Sequence, residues 1–133
     1  MNILKIYQDQ LEQVKLLYQD IIANAKVVYT ENGTPHKLRI HIVDGSLIDI
    51  FYSVHGKYSY HWERRTINGS LYRHDNAPHS KWRTVKTFPK HFHYKTNTNV
   101  IESDINNDPV LAIKEFFEFI KKTLMQIKFG ANI

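Results

Sequence analysis

Apolar residues recur at alternating spacings of three and four near both ends of the chain, which predicts two amphipathic helices. The first stripe, over residues 3–25, consists of Leu4, Tyr7, Leu11, Val14, Tyr18, Ile21 and Ala25. The second follows Asp108, a good N-cap, and Pro109, a favoured first helical residue. It consists of Val110, Ile113, Phe116, Phe117, Ile120, Leu124 and Ile127, with Gly130 as the expected stop.

Between the two helices the pattern changes to short β-rich runs separated by X-Gly pairs. The pairs are Asn32-Gly33, Asp44-Gly45, His55-Gly56 and Asn68-Gly69. Asn-Gly and Asp-Gly are typical of two-residue type I′ hairpin turns, because both central residues need a positive φ. The runs span 25–31, 36–43, 46–54, 57–66 and 70–75, and one more short strand is expected at 99–103. We therefore predict a single α+β domain over residues 1–133, with a five- to six-stranded antiparallel meander flanked by the two helices.

Two-residue turns would also fix the register of the sheet. Ile40 would then lie opposite Asp49, Asp49 opposite Trp62, and Trp62 opposite Asp75. The face covered by helices would carry Leu38, Ile40, Ile42, Leu47, Phe51, Tyr58, Tyr60 and Trp62. The other face would carry Lys37, Arg39, His41, Ser59, His61, Glu63 and Arg65. In this register Asp49 falls on the core face, where a buried carboxylate needs polar partners.

Composition narrows the classes of function. The chain has 133 residues, no cysteine and a formal net charge of +5. The lack of cysteine excludes disulfides, thiolate catalysis and thiolate-ligated zinc. No stretch has the continuous apolar run of a signal peptide or a membrane span, so we expect a cytoplasmic protein that makes no membrane contact. The positive charge favours an acidic partner, which could be RNA, DNA or an acidic protein.

Side chains suited to proton transfer and anion binding are concentrated between Arg73 and His93. Four of the eight histidines lie within these 21 positions. Residues 76–99 show no clean period and contain Pro78 and Pro89. We expect a long loop there, and long loops inside compact domains are often functional.

Metal-independent RNA cleavage is one interpretation of this segment. It needs a base for the ribose 2′-OH, an acid for the leaving oxygen, and cations for the charged phosphorane. Histidine suits both proton transfers because its pKa lies near neutrality. The candidate catalytic residues are His79, His91, His93 and Asp75, the last as a group that orients a histidine. The candidate RNA- or phosphate-binding residues are Arg73, Lys90, Arg83 and Trp82.

Two other interpretations stay open from the residues alone. His91 and His93, at i and i+2 of a strand, would point the same way as two metal ligands do, and His79 or Asp75 would complete the set. Alternatively, the Asn, Asp, Pro and His residues of a polar loop serve turn formation only.

The order of motifs resembles the TumE family of small bacterial toxin–antitoxin proteins. A tyrosine-rich hairpin (Tyr58, Tyr60, Trp62) is followed by Arg73-His74-Asp75-Asn76-Ala77-Pro78-His79, then by Pro89-Lys90-His91-Phe92-His93, and last by a Phe-rich helix. The similarity extends over most of the chain. Its most specific part is the pair Asp-Asn-x-Pro-His and Pro-x-His-x-His, matched by Asp75, Asn76, Pro78, His79, Pro89, His91 and His93. Members often carry two further histidines, at positions that hold Ser80 and Lys90 in this chain.

The resemblance implies the toxin of a type II toxin–antitoxin system, neutralised by a small antitoxin encoded beside it. RNA as the substrate follows by analogy with other small basic toxins. We expect a ribonuclease that uses histidine acid/base chemistry, without a cofactor or a metal. The alternative is a non-catalytic protein that binds a partner, or that binds a metal through its histidines.

Overall fold

The structure, a computed structural model, describes residues 1–130, excepting the side chains of residues 129 and 130. A helix at each end encloses seven strands. The elements are α1 (Ile3–Leu17), β1 (Ile22–Tyr29), β2 (Pro35–Ile42), β3 (Leu47–Tyr52), β4 (Tyr58–Arg64), the short α2 (Arg65–Asn68), β5 (Ser70–Asp75), β6 (His91–Lys95), β7 (Val100–Glu102) and α3 (Pro109–Gly130). None of the helices in this part of the chain is long and apolar enough to cross a membrane.

The strands form one antiparallel sheet in chain order, so the predicted α+β meander is confirmed. Two strands lie where the sequence pattern had predicted something else. The first helix ends at Leu17 instead of continuing to residue 25, and β1 begins at Ile22. The strand β6 lies inside the stretch that was expected to be a loop. Since β1 overlaps the strand predicted at 25–31, β6 is the one strand that was not predicted, and it brings the sheet to seven strands instead of five or six.

The predicted register is wrong, because the hairpin loops are longer than two residues. The Ile42 amide donates to the Ser46 carbonyl at 2.9 Å, which leaves three residues in that loop. The loop before β4 is built the same way, and its last residue, Gly56, has φ 85°. A type I turn followed by a left-handed residue needs glycine only at its last position. Between β4 and β5, α2 lengthens the connection further.

Each extra residue shifts the pairing of the next strand. Asp49 lies opposite Arg39 and His61, and not opposite Ile40 and Trp62. Trp62 pairs with Tyr72, and Asp75 with Ser59 and His91. On β3 the shift exchanges the two faces. The predicted core residues Leu47 and Phe51 are therefore on the outer face, while Ile48, Ile50 and Tyr52 are buried.

Both helices cover the same face of the sheet. From α1, the Gln10 amide donates to the Tyr60 hydroxyl at 2.9 Å. From α3, the Phe116 ring packs edge-on against Tyr60, with ring centroids 5.8 Å apart. The predicted cap of α3 is confirmed, since the Asp108 carboxylate accepts from the Val110 amide at 3.2 Å. The helix continues to residue 130, so its end lies outside the described residues.

Neither α1 nor α3 covers the opposite face of the sheet, here called the helix-free face. Residues 76–90, here called the crossing segment, run over part of it and contain one short 3-10 turn, Ser80–Trp82. Phe92 points to the helix side, where its ring packs against Phe119 at 5.5 Å. Side chains alternate along a strand, so His91 and His93 point to the opposite face. The Trp82 ring of the crossing segment lies against both of them.

Candidate functional site

Pairing of β5 with β6 brings four polar side chains together on the helix-free face. Arg73 and Asp75 are two residues apart on β5, as are His91 and His93 on β6. The antiparallel register places Arg73 opposite His93 and Asp75 opposite His91. Since residues at i and i+2 share a face, all four side chains meet. We call these four residues the histidine cluster.

Asp75 lies at the centre of the histidine cluster. Its Oδ1 is 3.0 Å from His91 Nε2, and its Oδ2 is 3.5 Å from His93 Nε2. The Arg73 Nε donates to Oδ2 at 3.1 Å, and a second Arg73 nitrogen lies 3.2 Å from His93 Nε2. The Ala77 amide donates to Oδ1 at 3.0 Å. One carboxylate is therefore surrounded by a guanidinium, an amide and two imidazoles.

Both imidazole rings are fixed by main-chain carbonyls. His91 Nδ1 lies 2.8 Å from the Pro89 carbonyl oxygen, and His93 Nδ1 lies 3.0 Å from that of Asn97. A carbonyl oxygen only accepts, so each Nδ1 carries a proton and donates it. The remaining nitrogen of each ring, Nε2, is therefore the one that is directed toward Asp75.

The histidine cluster is shielded from solvent. His91 is 1% exposed, His93 4% and Asp75 9%. Burial alone would raise the pKa of Asp75, but its contacts with His93, the Ala77 amide, His91 and Arg73 lower that pKa to about 2. Asp75 is therefore an anion at neutral pH, and it is held by neighbours instead of by water.

Of the other predicted site residues, only Trp82 contacts this cluster. Its ring centroid lies 6.2 Å from that of His91 and 5.9 Å from that of His93. The Lys90 ammonium donates to the Ile105 carbonyl, away from Asp75. Arg83 is exposed and donates to the Ser80 carbonyl at 2.9 Å. His79 is exposed too, and its side chain makes no hydrogen bond, ion pair or ring contact within residues 1–130.

His74 and Asn76, which flank Asp75, have structural contacts instead. The His74 ring stacks on Phe92 at 3.9 Å on the helix side, and burial lowers the pKa of His74 to about 3. Asn76 accepts from the Tyr58 amide at 2.9 Å and donates to the Gly56 carbonyl at 3.0 Å. It thereby ties the end of β5 to the turn before β4.

Sequence reasoning missed the two carbonyls that orient the histidines. That of Pro89 belongs to the Pro-x-His-x-His motif, so its closeness to His91 had a signal in the sequence. That of Asn97 lies in the turn between β6 and β7, and nothing in the pattern of side chains marks a backbone oxygen.

Asp75, His91 and His93 also have the composition of a metal-binding site. Among the described residues they are the group of three whose donor atoms all lie within 4.8 Å of one another. Two imidazoles and a carboxylate suit zinc and other first-row transition metals.

Comparison with known proteins gave one match. A family model described as "Toxin TumE" matches residues 11–124, a range that contains the whole histidine cluster. Searches of curated proteins and of solved structures gave no significant match.

Proposed function

The chain belongs to the Toxin TumE family, the toxin components of toxin–antitoxin systems, and from this premise we propose that it is a ribonuclease acting at the histidine cluster. Membership also implies a cognate antitoxin as its partner. We further propose that the system is of type II, with a protein antitoxin encoded by the neighbouring gene, and that the toxin acts in the cytoplasm.

The observation that carries the proposal is the meeting of Arg73, Asp75, His91 and His93 on one face of the sheet. Imidazole and carboxylate groups next to a guanidinium are the groups that phosphodiester cleavage uses for proton transfer and charge stabilisation. A formal net charge of +5 favours the approach of a polyanion. RNA is a polyanion with phosphodiester bonds, and its cleavage would inhibit growth, as expected of a toxin.

Substrate access places a further condition on this proposal. His91 and His93 are almost fully buried, and the Trp82 ring lies against both. An RNA phosphate therefore reaches them only if the crossing segment moves. Around Trp82 that segment is partly exposed to solvent: Trp82 is half-buried, and Lys81 and Arg83 on either side of it are exposed. Loops open more readily than paired strands do.

Direct assay of RNA by the purified protein tests the proposal. We expect the wild type to cleave total bacterial RNA, and His91→Gln to cleave it at least about a hundredfold more slowly, the usual cost of removing an acid/base group. His55→Ala is a matched control, because His55 is exposed in a turn outside the cluster. It should cleave RNA like the wild type.

RNA profiling of cells that express the protein separates this proposal from other kinds of toxin. New 5′ ends that appear in wild-type cells, and not in His91→Gln cells, are the expected result. Growth arrest with intact RNA would mean that the toxin acts on another target.

A further inference from the structure

We propose that Asp75, His91 and His93 form a binding site for a divalent transition-metal ion such as Zn²⁺. This inference does not require RNA to be the substrate. It differs from the metal-independent chemistry that the sequence analysis predicted, and it rests on the directions in which the donor atoms point.

The distances from Asp75 to the two imidazoles are close to the spacing of ligands around a metal ion. Ligand atoms about 2.1 Å from one ion, at angles between 90° and tetrahedral, lie about 3.0–3.4 Å from one another. His91 Nε2 is 3.0 Å from Asp75 Oδ1, and His93 Nε2 is 3.5 Å from Asp75 Oδ2. One donor atom from each residue lies within 4.8 Å of the other two, so the side chains must draw closer together to close the set around an ion.

Orientation of the imidazoles gives the second argument. Metal-ligating histidines almost always donate their other ring N–H to a carbonyl or a carboxylate, which fixes the tautomer. Both rings do so here, to the carbonyls of Pro89 and Asn97. A neutral imidazole that donates from Nδ1 has its lone pair on Nε2, and both Nε2 atoms are directed toward the same anionic carboxylate.

The contact between His91 and Asp75 gives the third argument. With Nδ1 as the donor, a neutral His91 directs a lone pair at a carboxylate oxygen 3.0 Å away. Two acceptors at this distance repel each other unless a cation lies between them, and that cation is either a proton on Nε2 or a metal ion. A proton on Nε2 would join only His91 and Asp75, whereas a metal ion in this position can also bind His93, since the donor atoms of all three residues lie within 4.8 Å of one another.

Arg73 competes with the metal ion for part of this site. Its Nε bond to Asp75 Oδ2 is compatible with an ion bound at Oδ1. Its contact with His93 Nε2, at 3.2 Å, is not, because that lone pair is needed as a ligand. Metal binding therefore requires the Arg73 guanidinium to release His93. Removal of this charge should strengthen the affinity for the metal, whereas removal of a purely structural arginine would not.

Isothermal titration calorimetry with zinc chloride tests the proposal on untagged full-length protein stripped with EDTA. We expect one tight equivalent for the wild type and for His55→Ala. Affinity for zinc should fall at least about a hundredfold in His91→Gln. Mutation of a residue that only hydrogen-bonds to a metal ligand already lowers affinity about 10- to 100-fold, and this variant removes the ligand itself. Arg73→Gln should bind about tenfold more tightly, the effect of removing one like charge a few ångströms away.

Circular dichroism shows whether each variant is folded, and Arg73→Gln keeps the test decisive even if His91→Gln does not fold. The proposal is overturned if the wild type binds no tight equivalent, or if a folded His91→Gln variant binds zinc as tightly as the wild type. An RNA assay of the same samples is scored separately. Tight zinc binding without RNA cleavage would refute the proposed ribonuclease activity and support the metal site. RNA cleavage by protein that binds no zinc would refute the metal site and support the ribonuclease activity.

Discussion

Two carboxylates lie on the same helix-free face of the sheet, and they differ in the neighbours that hold them. Arg39 donates two hydrogen bonds of 2.9 Å to the Asp49 carboxylate, and Lys37 donates a third at 3.3 Å. Asp75 has one guanidinium contact, and its remaining neighbours include two imidazoles. Asp49 is thus paired with permanent cations, whereas Asp75 lies against two imidazoles, a side chain that also serves as a metal ligand.

Under the proposed function, the partners of a carboxylate, and not the carboxylate itself, distinguish the proposed site from a structural ion pair. Both aspartates have a lowered pKa, and in both cases burial opposes the lowering. Arginine and lysine stay charged near neutral pH, so they have no lone pair with which to bind a metal ion. Histidine keeps a lone pair for a ligand when it is neutral. We therefore expect changes at Asp49 to affect stability, and changes at Asp75 to affect binding and activity.

The largest expected effect is thermal stabilisation by zinc. A ligand present at 100 times its Kd stabilises the folded state by about 2.7 kcal/mol, which corresponds to roughly 10 °C in Tm for a domain of this size. We expect this shift in the wild type and in Asp49→Asn, and its absence in Asp75→Asn. Differential scanning fluorimetry with and without zinc measures it. An equal shift in Asp75→Asn would break the distinction between the two aspartates.

The next effect concerns stability without metal. Asp49→Asn removes the anion that Arg39 and Lys37 share, on a partly exposed surface where such pairs contribute little. We expect a loss of about 1 kcal/mol in the free energy of unfolding, measured by urea denaturation. RNA cleavage should stay at the wild-type rate. A large loss of cleavage in folded Asp49→Asn protein would show that the function is not confined to the histidine cluster.

A smaller effect is expected on the dependence of stability on pH. The pKa of Asp49 is lowered, because its bonds to Arg39 and the nearby charge of Lys37 outweigh burial. Its contribution is therefore present above the pKa of the unfolded chain, about 3.9, and is lost as the pH falls below it. Urea denaturation from neutral pH to about pH 3 should show a steeper loss in the wild type than in Asp49→Asn. Parallel curves would mean that Asp49 does not contribute in this way.

The smallest effect is expected at His79, which the sequence analysis placed among the catalytic residues. His79 is exposed, and its side chain has no polar or ring contact within the described part of the chain. We expect His79→Ala to change the free energy of unfolding by less than about 0.5 kcal/mol and to leave zinc affinity unchanged. If His79→Ala cleaves RNA as poorly as His91→Gln does, the crossing segment brings His79 to the substrate during the reaction.

The sequence predicts the elements of this fold better than the way they pair. Apolar periodicity indicated both helices, and glycine pairs indicated the meander. Loop length could not be predicted, because a glycine such as Gly56 serves two-residue and three-residue loops equally well. One extra residue in the loop between Ile42 and Ser46 moved Asp49 from the predicted core face to the outer face.

The candidate site was predicted as a set of residue types in one segment, and only part of the set meets in space. Asp75, His91 and His93 share a face because they lie on paired strands. Lys90 is next to His91 in sequence, but it points to the other side of the sheet, as alternation along a strand requires. The crossing segment has no such period, so the sequence could not show that Trp82 contacts the histidines and that His79 does not.

Growth of bacteria that express Asp75→Asn or Asp49→Asn, each in the absence of the antitoxin, tests the central claim most directly. The two variants make the same chemical change on the same face of the sheet, and immunoblotting shows whether both proteins accumulate. We predict that Asp49→Asn arrests growth as the wild type does, and that Asp75→Asn does not. Growth arrest by both variants, or by Asp75→Asn alone, would contradict the assignment of the toxin's function to the histidine cluster.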